Sequence, residues 1–349
     1  MTSTGTPFVV VLAGGIGSRF WPASTPDRPK QLLPLAGPRP LIVDTVERAV
    51  ALAGWERIRI LTGARLAEAF SRTLPELGAD HFLVEPRARG TGPALAWAAS
   101  HFEAIEPGAV MVSLHADHMI SPIEGFRETL DRAVTAAVGA GRLFCIGVPP
   151  VRPETGYGYV EVGAAIGPGT HEVARFVEKP DRARAEGFVA SGRYLWNSGI
   201  FTWRAADLLD AIRRHTPEVS RALGLLEAGD VAGFFGAVQP ISVDVGVMER
   251  AEAVGVVEAT FRWDDIGTWT GLARITPLDA AGNAVLGEAG LVESADNIVW
   301  SEEGRVVLFG VRGLVVVRAG SETLVTTRES APDLKRLLQA LEAGEEDSR

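Results

Sequence analysis

Short apolar runs alternate with amphipathic stretches over residues 7–150. The runs are typical of buried strands, and between them apolar residues recur at helical spacing. The predicted strands are 8–13, 57–63, 82–86, 109–117 and 142–148, and the predicted helices are 40–52, 91–104 and 126–141. Strands that alternate with helices indicate a parallel sheet with helices on both faces. Ligands of such sheets bind beyond the carboxyl ends of the strands.

The pattern changes after residue 150. Between 150 and 205, the runs ETGYGYVEVG, ARFVEKP and YLWNSGIFTWR predict short antiparallel strands, which could form a lid or wall. From about residue 276, short apolar runs are separated by Gly, Asn and Asp, until a helix at 332–343. We predict a Rossmann-like α/β catalytic domain at 1–275 and a small β-rich domain at 276–349. A short left-handed β-helix is one form open to the second domain.

Composition excludes several classes of function. The net charge of −10 disfavours nonspecific binding to nucleic acid or to an anionic membrane. No apolar run reaches the roughly 18 residues that span a bilayer, and MTSTGTP lacks the layout of a signal peptide. Cys145 is the one cysteine, which suits a cytoplasmic protein, and its apolar neighbours predict a packing role.

Lysine is scarce in this chain. Of 34 Lys and Arg residues, only Lys30, Lys179 and Lys335 are lysine. A lysine ammonium is a compact point charge on a flexible stem, which the planar fork of arginine does not replace. Lys335 lies on an amphipathic stretch and is expected to be a surface charge. Lys30 and Lys179 lie in Pro-flanked loops, where we expect functional roles.

A glycine-rich turn, AGGIGSRF, follows the first predicted strand. It fits neither the dinucleotide pattern GxGxxG, since Phe20 stands at the third glycine, nor the P-loop pattern, since Arg19 stands at the second. Glycines still let backbone N–H groups approach phosphate oxygens. Arg19 and Lys30 would add positive charge, so the turn predicts a triphosphate site of another kind.

Eight motifs along the chain together resemble one family. GGIGSRFWPAS…PKQLLPL is similar to the signature of the sugar-1-phosphate nucleotidyltransferases, and WP and PKQ are typical of the mannose-1-phosphate guanylyltransferase branch. VEPRARGTGPALA, HADHMI, RPETGYGYVEVG, FVEKPD, YLWNSGIF, SVDVGVMERA and WDDIGTW follow in the same order as in that branch. The resemblance spans roughly residues 8–275.

The resemblance implies formation of GDP-mannose and pyrophosphate from GTP and mannose 1-phosphate. The sugar phosphate would attack the α-phosphate in line, with Mg²⁺ held by Asp117 and Asp265. Asp264 is the alternative ligand, but the family's usual Asp-x-Gly spacing favours Asp265. Two carboxylates are a suitable ligand set for Mg²⁺. Arg19, Lys30, Asp117 and Asp265 are the predicted catalytic residues.

The resemblance also implies two binding sets. The nucleotide-binding residues would be Leu12, Ala13, Gly14, Gly15, Gly17, Ser18, Arg19, Lys30, Glu85, Gly90, Thr91 and Asp117. The sugar-phosphate-binding residues would be Gly156, Tyr157, Gly158, Glu178, Lys179 and Asn197, with Asp244 as a weaker candidate.

Several alternatives stay open at this point. Gly90 stands where the guanylyl branch usually carries Asn, whereas related uridylyl enzymes carry Gly-Thr, so the base is open. Glu85 could contact guanine or could pair with Arg87 or Arg89. Glucose 1-phosphate could replace mannose 1-phosphate, the chain could be a homodimer, and a noncatalytic nucleotide-sugar sensor is a further alternative. A His-x-x-His metal pair is disfavoured, because strand geometry would place His115 and His118 on opposite faces.

Overall fold

The computed structural model describes residues 5–346. Contacts divide the chain into two compact units. Unit 1 contains the chain up to Gly14 together with Thr45–Ala116 and Ile120–Trp263. Unit 2 contains Gly15–Asp44, Asp117–Met119 and the chain from Asp264 onward. The predicted domain boundary after residue 275 stays a prediction, and its outer limits, 1–4 and 347–349, lie outside the described residues.

A nine-stranded sheet forms the centre of unit 1. Its strands are β1 (Phe8–Leu12), β2 (Ile58–Gly63), β3 (Phe82–Glu85), β4 (Val110–His115), β6 (Leu143–Val148), β7 (Gly158–Gly167), β8 (Thr170–Val177), β9 (Tyr194–Arg204) and β10 (Val254–Glu258); β5 (Met119–Ser121) and β11 (Arg262–Asp264) lie outside it. The order is β3-β2-β1-β4-β9-β6-β10-β8-β7. Strands β3, β2, β1 and β4 are parallel, as are β6 and β10. The predicted Rossmann-like, mostly parallel sheet is confirmed.

Nine helices connect these strands within the described part of unit 1 and at its border. They are α1 (Leu41–Ala53), α2 (Ala64–Thr73), α3 (Thr91–Ile105), α4 (Ile123–Ala140), α5 (Arg182–Ser191), α6 (Ala205–His215), α7 (Pro217–Ser220), α8 (Leu223–Glu227) and α9 (Val231–Ala237). None of the helices within residues 5–346 has the length and apolar character needed to cross a bilayer. Cys145 is fully buried in β6, where burial raises its thiol pKa to about 12, as expected of a packing residue.

The change of pattern after residue 150 suggested a peripheral lid or wall, but strand β9 does not lie in one. It lies in the middle of the sheet, antiparallel to both β4 and β6, and it also pairs with β7. Trp196, Phe201 and Trp203 are almost completely buried. A strand covered on both faces is apolar along its length. The run YLWNSGIFTWR is therefore a central strand.

Unit 2 combines the loop that follows β1 with the C-terminal part of the chain. Its strands are β12 (Ala284–Val292), β13 (Ile298–Phe309), β14 (Leu314–Ala319) and β15 (Glu322–Thr327), and its C-terminal helices are α10 (Trp269–Ile275) and α11 (Leu334–Glu346). Strands β12, β13 and β14 are parallel, and β15 is antiparallel to β14. Phe20, Trp269 and Trp300 share one buried core. The predicted β-rich C-terminal region is confirmed.

Candidate active site

In unit 2, the end of the glycine-rich loop at Lys30 and Gln31 contacts its beginning at Gly15–Gly17. Gly17 has a φ of 73°, and a Cβ there would lie 2.4 Å from Cβ of Lys30, so only glycine allows this approach. The Lys30 amide donates to the Ile16 carbonyl at 3.1 Å, and Gln31 Nε2 donates to the Gly15 carbonyl at 3.3 Å. The loop thus carries Lys30 back to the glycine turn. Ser18 is partly buried within it and Arg19 is exposed.

Lys30 connects two of the predicted catalytic residues in unit 2. Its ammonium donates to Asp117 Oδ2 at 2.8 Å and to the backbone carbonyl of Asp265 at 2.7 Å. Only 6% of the Lys30 side chain is exposed. The structure therefore brings together Lys30, Asp117 and Asp265, although Asp117 and Asp265 lie 87 and 235 positions from Lys30 in the sequence.

Asp264 and Asp265 have different surroundings. Asp264 is buried, and its carboxylate accepts from Arg274 Nε at 2.6 Å and from Arg274 Nη2 at 2.7 Å. It also accepts from the Ile266 amide at 2.8 Å, where Ile266 has a φ of 45° that is unusual for a β-branched residue. Asp265 keeps 32% of its side chain exposed, with Oδ1 at 3.8 Å from Arg274 Nη2. Asp264 is thus a structural carboxylate, whereas Asp265 is accessible to a ligand.

The short stretch from His115 to His118 is more compact than strand geometry predicted. One ligand atom each from His115, Asp117 and His118 lies within 4.8 Å of the others. The expectation that the two histidines would point to opposite faces is wrong, because β4 ends at His115 and the chain turns immediately. One carboxylate oxygen and two imidazole nitrogens therefore lie close enough together to hold a metal ion.

A second group of predicted residues meets in unit 1. Gly158 pairs with Asn197 across β7 and β9. A Cβ at Gly158 would lie 2.6 Å from Glu178 Oε2 and 3.2 Å from Asn197 Cβ, so the glycine makes room for both side chains. Tyr157 packs edge-on against Trp196, and the preceding Gly156 is exposed. The structure thus brings Glu178 and Asn197 together beside Gly158.

Lys179 extends from this group into solvent. Its side chain is 64% exposed, and its ammonium donates to Glu178 Oε1 at 2.7 Å. The backbone of Lys179 has a φ of 46°, which a residue other than glycine rarely adopts. Strained backbone of this kind is concentrated at functional sites. The loop therefore presents one positive charge beside a carboxylate.

Asp244 is the residue that sequence reasoning underrated. Asn197 Nδ2 donates to Asp244 Oδ1 at 2.7 Å. Desolvation by burial raises the pKa of Asp244 to about 6, with a further contribution from the charge of Glu178, while the bond from Asn197 opposes the shift. The run SVDVGVM gave only a weak signal, because its contact with Asn197 joins positions far apart in the chain.

The predicted base-binding loop is also ordered within unit 1. Arg89 Nε donates to the Phe235 carbonyl at 3.0 Å, and among residues 5–346 neither Arg87 nor Arg89 pairs with Glu85. In this structure, then, the carboxylate of Glu85 is not neutralised by either arginine. Burial raises the pKa of Glu85, whose Oε1 lies 3.9 Å from where a Cβ of Gly14 would be. The hydroxyl of Thr91 accepts from the Val243 amide at 2.9 Å.

The remaining residues of the predicted nucleotide-binding set lie at the end of β1 and directly after it. Leu12 and Ala13 are buried, and the Ala13 amide donates to the Leu61 carbonyl at 2.9 Å. Gly14 and Gly15 are exposed directly afterward. Backbone groups thus become accessible at the carboxyl end of β1, where parallel sheets bind their ligands.

Two family models match this chain. Residues 8–281 match the model described as nucleotidyl transferase. Residues 287–341 match the model described as a MannoseP isomerase/GMP-like beta-helix domain.

Named relatives agree with these models. The chain is 35% identical over 346 residues to the mannose-1-phosphate guanylyltransferase of Klebsiella pneumoniae, covering 95% of this chain and 73% of the relative. It is 34% identical to the alginate biosynthesis protein AlgA of Pseudomonas aeruginosa, covering 96% of this chain and 72% of AlgA. A solved structure described as mannose-1-phosphate geranyltransferase from Thermus thermophilus aligns with a TM-score of 0.90 at 36% identity, covering 97% of this chain and 100% of that one.

Identity of this extent over nearly the whole chain, together with a family model that spans the sheet and the Lys30 loop, leaves one conclusion. Enzymes of this family generally use a divalent metal ion. The chain belongs to the nucleotidyl transferase family, among the mannose-1-phosphate guanylyltransferases.

Proposed function

We propose that this enzyme forms GDP-mannose and pyrophosphate from GTP and α-D-mannose 1-phosphate. A phosphate oxygen of the sugar phosphate attacks the α-phosphorus of GTP, and the bond from that phosphorus to the bridging oxygen of pyrophosphate breaks. The attacking oxygen is already ionised, so no general base is needed. Positioning and charge neutralisation then provide the catalysis.

The contact between Lys30 and Asp117 is the observation that carries the proposal. A buried ammonium held by a carboxylate and a backbone carbonyl is fixed before substrate arrives. In a site of low polarity, such a fixed charge interacts strongly with a developing anion. Lys30 would stabilise the charge that accumulates on the leaving pyrophosphate, and Arg19, which is exposed on the same loop, would bind the triphosphate.

Asp117 and Asp265 are the proposed ligands of Mg²⁺. Both side chains are partly exposed, at 24% and 32%, and Mg²⁺ prefers one or two carboxylates along with phosphate oxygens and water. When bound, the ion would neutralise phosphate charge and orient the two reacting groups. Asp264 contributes indirectly, since its contact with Arg274 fixes the turn that carries Asp265.

Glu178, Lys179 and Asn197 are the proposed contacts of the sugar phosphate. The carboxylate of Glu178 accepts from sugar hydroxyls, and the amide of Asn197 offers a donor and an acceptor. The exposed ammonium of Lys179 moves from Glu178 to bind the phosphate. Gly156, Tyr157 and Gly158 form the adjoining wall.

The base contacts and the choice of sugar are part of the same proposal. Glu85 would accept from guanine, and the backbone at Gly90 and Thr91 would read the base edge. Because Gly90 differs from the usual Asn, UTP or dTTP is the competing nucleotide, and glucose 1-phosphate is the competing sugar. We also propose a cytoplasmic location, which the single buried cysteine supports. The homodimer stays a prediction, which a measurement of molar mass by light scattering would test.

Pyrophosphate release tests the function directly. Purified protein with Mg²⁺ is given each NTP together with either mannose 1-phosphate or glucose 1-phosphate, and pyrophosphate is measured. We expect GTP with mannose 1-phosphate to have the largest kcat/KM. No release with any pair would contradict the enzymatic proposal, whereas a preference for UTP or dTTP would contradict the base assignment alone.

A further inference from the structure

One segment of unit 1, Ile241–Glu249, contacts several of the loops assigned above to substrate binding. At its beginning, it is attached to the base loop by backbone hydrogen bonds. The Ile241 amide donates to the Arg89 carbonyl at 3.1 Å, and the Gly92 amide donates to the Ile241 carbonyl at 3.0 Å. The Val243 amide adds a third bond, to the hydroxyl of Thr91.

This attachment requires a glycine in the base loop. Gly90 has a φ of 83°, and a Cβ at this position would lie 2.6 Å from the Ile241 carbonyl oxygen. Such a contact is with backbone, which cannot turn aside as a flexible side chain can. Gly90 is therefore tied to a direct backbone contact between the two segments.

The middle of the segment is anchored in the core. Val243, Val247 and Met248 are almost completely buried, and the Thr216 hydroxyl donates to the Gly246 carbonyl at 2.5 Å. Residues Asp244–Met248 form a single π-helical turn, closed by a bond from the Glu249 amide to the Asp244 carbonyl at 2.9 Å. Turns of this kind occur frequently at functional sites. The turn directs Asp244 toward Asn197.

The end of the segment holds the loop of Glu178 and Lys179. The Glu178 amide donates to Glu249 Oε1 at 2.9 Å. Glu249 itself is exposed, so its carboxylate is not needed to fill the core. The bond fixes the backbone immediately before Lys179, which has the left-handed conformation described above.

We propose that segment Ile241–Glu249 is a positioning element that sets the sugar-phosphate pocket relative to the base loop, with Thr91 and Glu249 as its attachment points. Thr91 acts through Val243 and Asp244, and Glu249 acts through Glu178. Neither attachment contact is itself a contact with the sugar phosphate. The inference rests on the proposed function for the identity of the two substrates.

Kinetics of Glu249 variants test the second attachment point. Glu249→Ala removes the acceptor, and loss of one such bond is expected to raise the KM for mannose 1-phosphate about 5- to 10-fold. The KM for GTP is expected to change less than about twofold. Glu249→Gln keeps an acceptor oxygen and should restore most of the affinity. Glu252→Ala, an exposed carboxylate three residues further on, is the matched control and should match wild type in both KM values.

The first attachment point is tested by Thr91→Val, which keeps the shape of the side chain and removes its hydroxyl. We expect the KM for mannose 1-phosphate to rise severalfold although Thr91 belongs to the nucleotide loop. An unchanged sugar-phosphate KM in both Thr91→Val and Glu249→Ala would overturn the proposal.

Amide hydrogen exchange without substrates separates this proposal from the proposed function. In the full chain, Glu249→Ala should speed exchange at the Glu178 amide, and Thr91→Val should speed exchange at Val243. Unchanged exchange would overturn the positioning role even if the enzyme is active. Absence of pyrophosphate release by the wild-type enzyme would instead contradict the proposed function, whatever the exchange result.

Discussion

Lys30 and Lys179 are two of the three lysines in the chain, and their surroundings differ in almost every respect. Lys30 has 6% of its side chain exposed and bonds to two partners distant in sequence. Lys179 has 64% exposed and bonds to the preceding residue. The first lysine is fixed by the fold, whereas the second is held mainly by its own strained loop.

This difference indicates when each charge becomes ordered. Fixing a lysine side chain costs up to about 2 kcal/mol of conformational entropy. For Lys30, folding has already imposed this cost, so a bound triphosphate meets a preorganised charge. For Lys179, part of the cost would fall on substrate binding. Lys30 is thus expected to affect the chemical step, and Lys179 the affinity for the sugar phosphate.

Substitution of Lys30 should have the largest effect. Lys30→Ala removes a preorganised charge, and kcat is expected to fall about 10²–10³-fold. The kcat of Lys30→Arg should fall by a similar factor, because the planar guanidinium of arginine cannot occupy the space of a slim ammonium between Asp117 and the Asp265 carbonyl. Steady-state pyrophosphate release measures both.

Lys335→Arg is the matched control for this substitution. Lys335 is exposed on α11, so its replacement should leave kcat and KM unchanged. If Lys30→Arg were as active as Lys335→Arg, the scarcity of lysine would have no bearing on function. If Lys30→Ala were also as active, Lys30 would have to be removed from the catalytic residues.

The paired aspartates offer the next comparison. Asp265→Asn should reduce kcat by about 10²-fold or more through weaker metal binding, with little change in the free energy of unfolding. Asp264→Asn should instead lower the free energy of unfolding by about 1–3 kcal/mol, since it weakens the contacts with Arg274 and the Ile266 amide. Urea unfolding alongside kinetics separates the two, and a reversed pattern would exchange their roles.

Lys179→Ala should have a smaller effect than either. Loss of one hydrogen bond to a charged group corresponds to about 10- to 100-fold in the KM for mannose 1-phosphate. Its exposure predicts an unfolding free energy within about 0.5 kcal/mol of wild type. A large decrease in kcat at unchanged KM would contradict the assignment of Lys179 to substrate affinity.

The sequence predicted the two lysine loops better than it predicted what surrounds them. Rarity and flanking prolines identified Lys30 and Lys179, because a residue type that occurs only three times stands out at each of its positions. The contact between Lys30 and the Asp265 carbonyl joins residues 235 positions apart, and a backbone atom carries no residue-type signal. The inclusion of Gly15–Asp44 in the same compact unit as the C-terminal strands was likewise not foreseen.

Asparagine shows the same limit. The chain has three asparagines, and only Asn197 was assigned a role. Asn283 and Asn297 are buried in unit 2, where Asn297 Nδ2 donates to Asn283 Oδ1 at 3.0 Å and Asn297 Oδ1 accepts from the Leu314 amide at 2.9 Å. They satisfy backbone groups between successive strands. Rarity alone therefore does not separate a catalytic residue from a structural one, and the contacts of each residue decide between the two.

The smallest expected effect on catalysis concerns pH and Asp244, whose carboxylate accepts a hydrogen bond from Asn197. Burial raises the pKa of Asp244 from its ordinary 3.8 to about 6, in the presence of Glu178 and Lys179. Between these values the folded protein binds more protons than the unfolded chain. This contribution to stability is fully present below about pH 4 and is lost as the pH rises through 6. Urea unfolding should therefore show wild type losing stability relative to Asp244→Asn over this range.

The same titration should appear in substrate affinity. Ionised Asp244 is the better acceptor for a sugar hydroxyl, so kcat/KM for mannose 1-phosphate should rise a fewfold between pH 5 and 7, which brackets the pKa of about 6. Phosphate monoesters titrate near pH 6 as well. The informative quantity is therefore the ratio of wild type to Asp244→Asn at each pH, in which substrate titration cancels. A ratio independent of pH would mean that the carboxylate of Asp244 serves only to hold Asn197, as the Asp264 carboxylate holds Arg274.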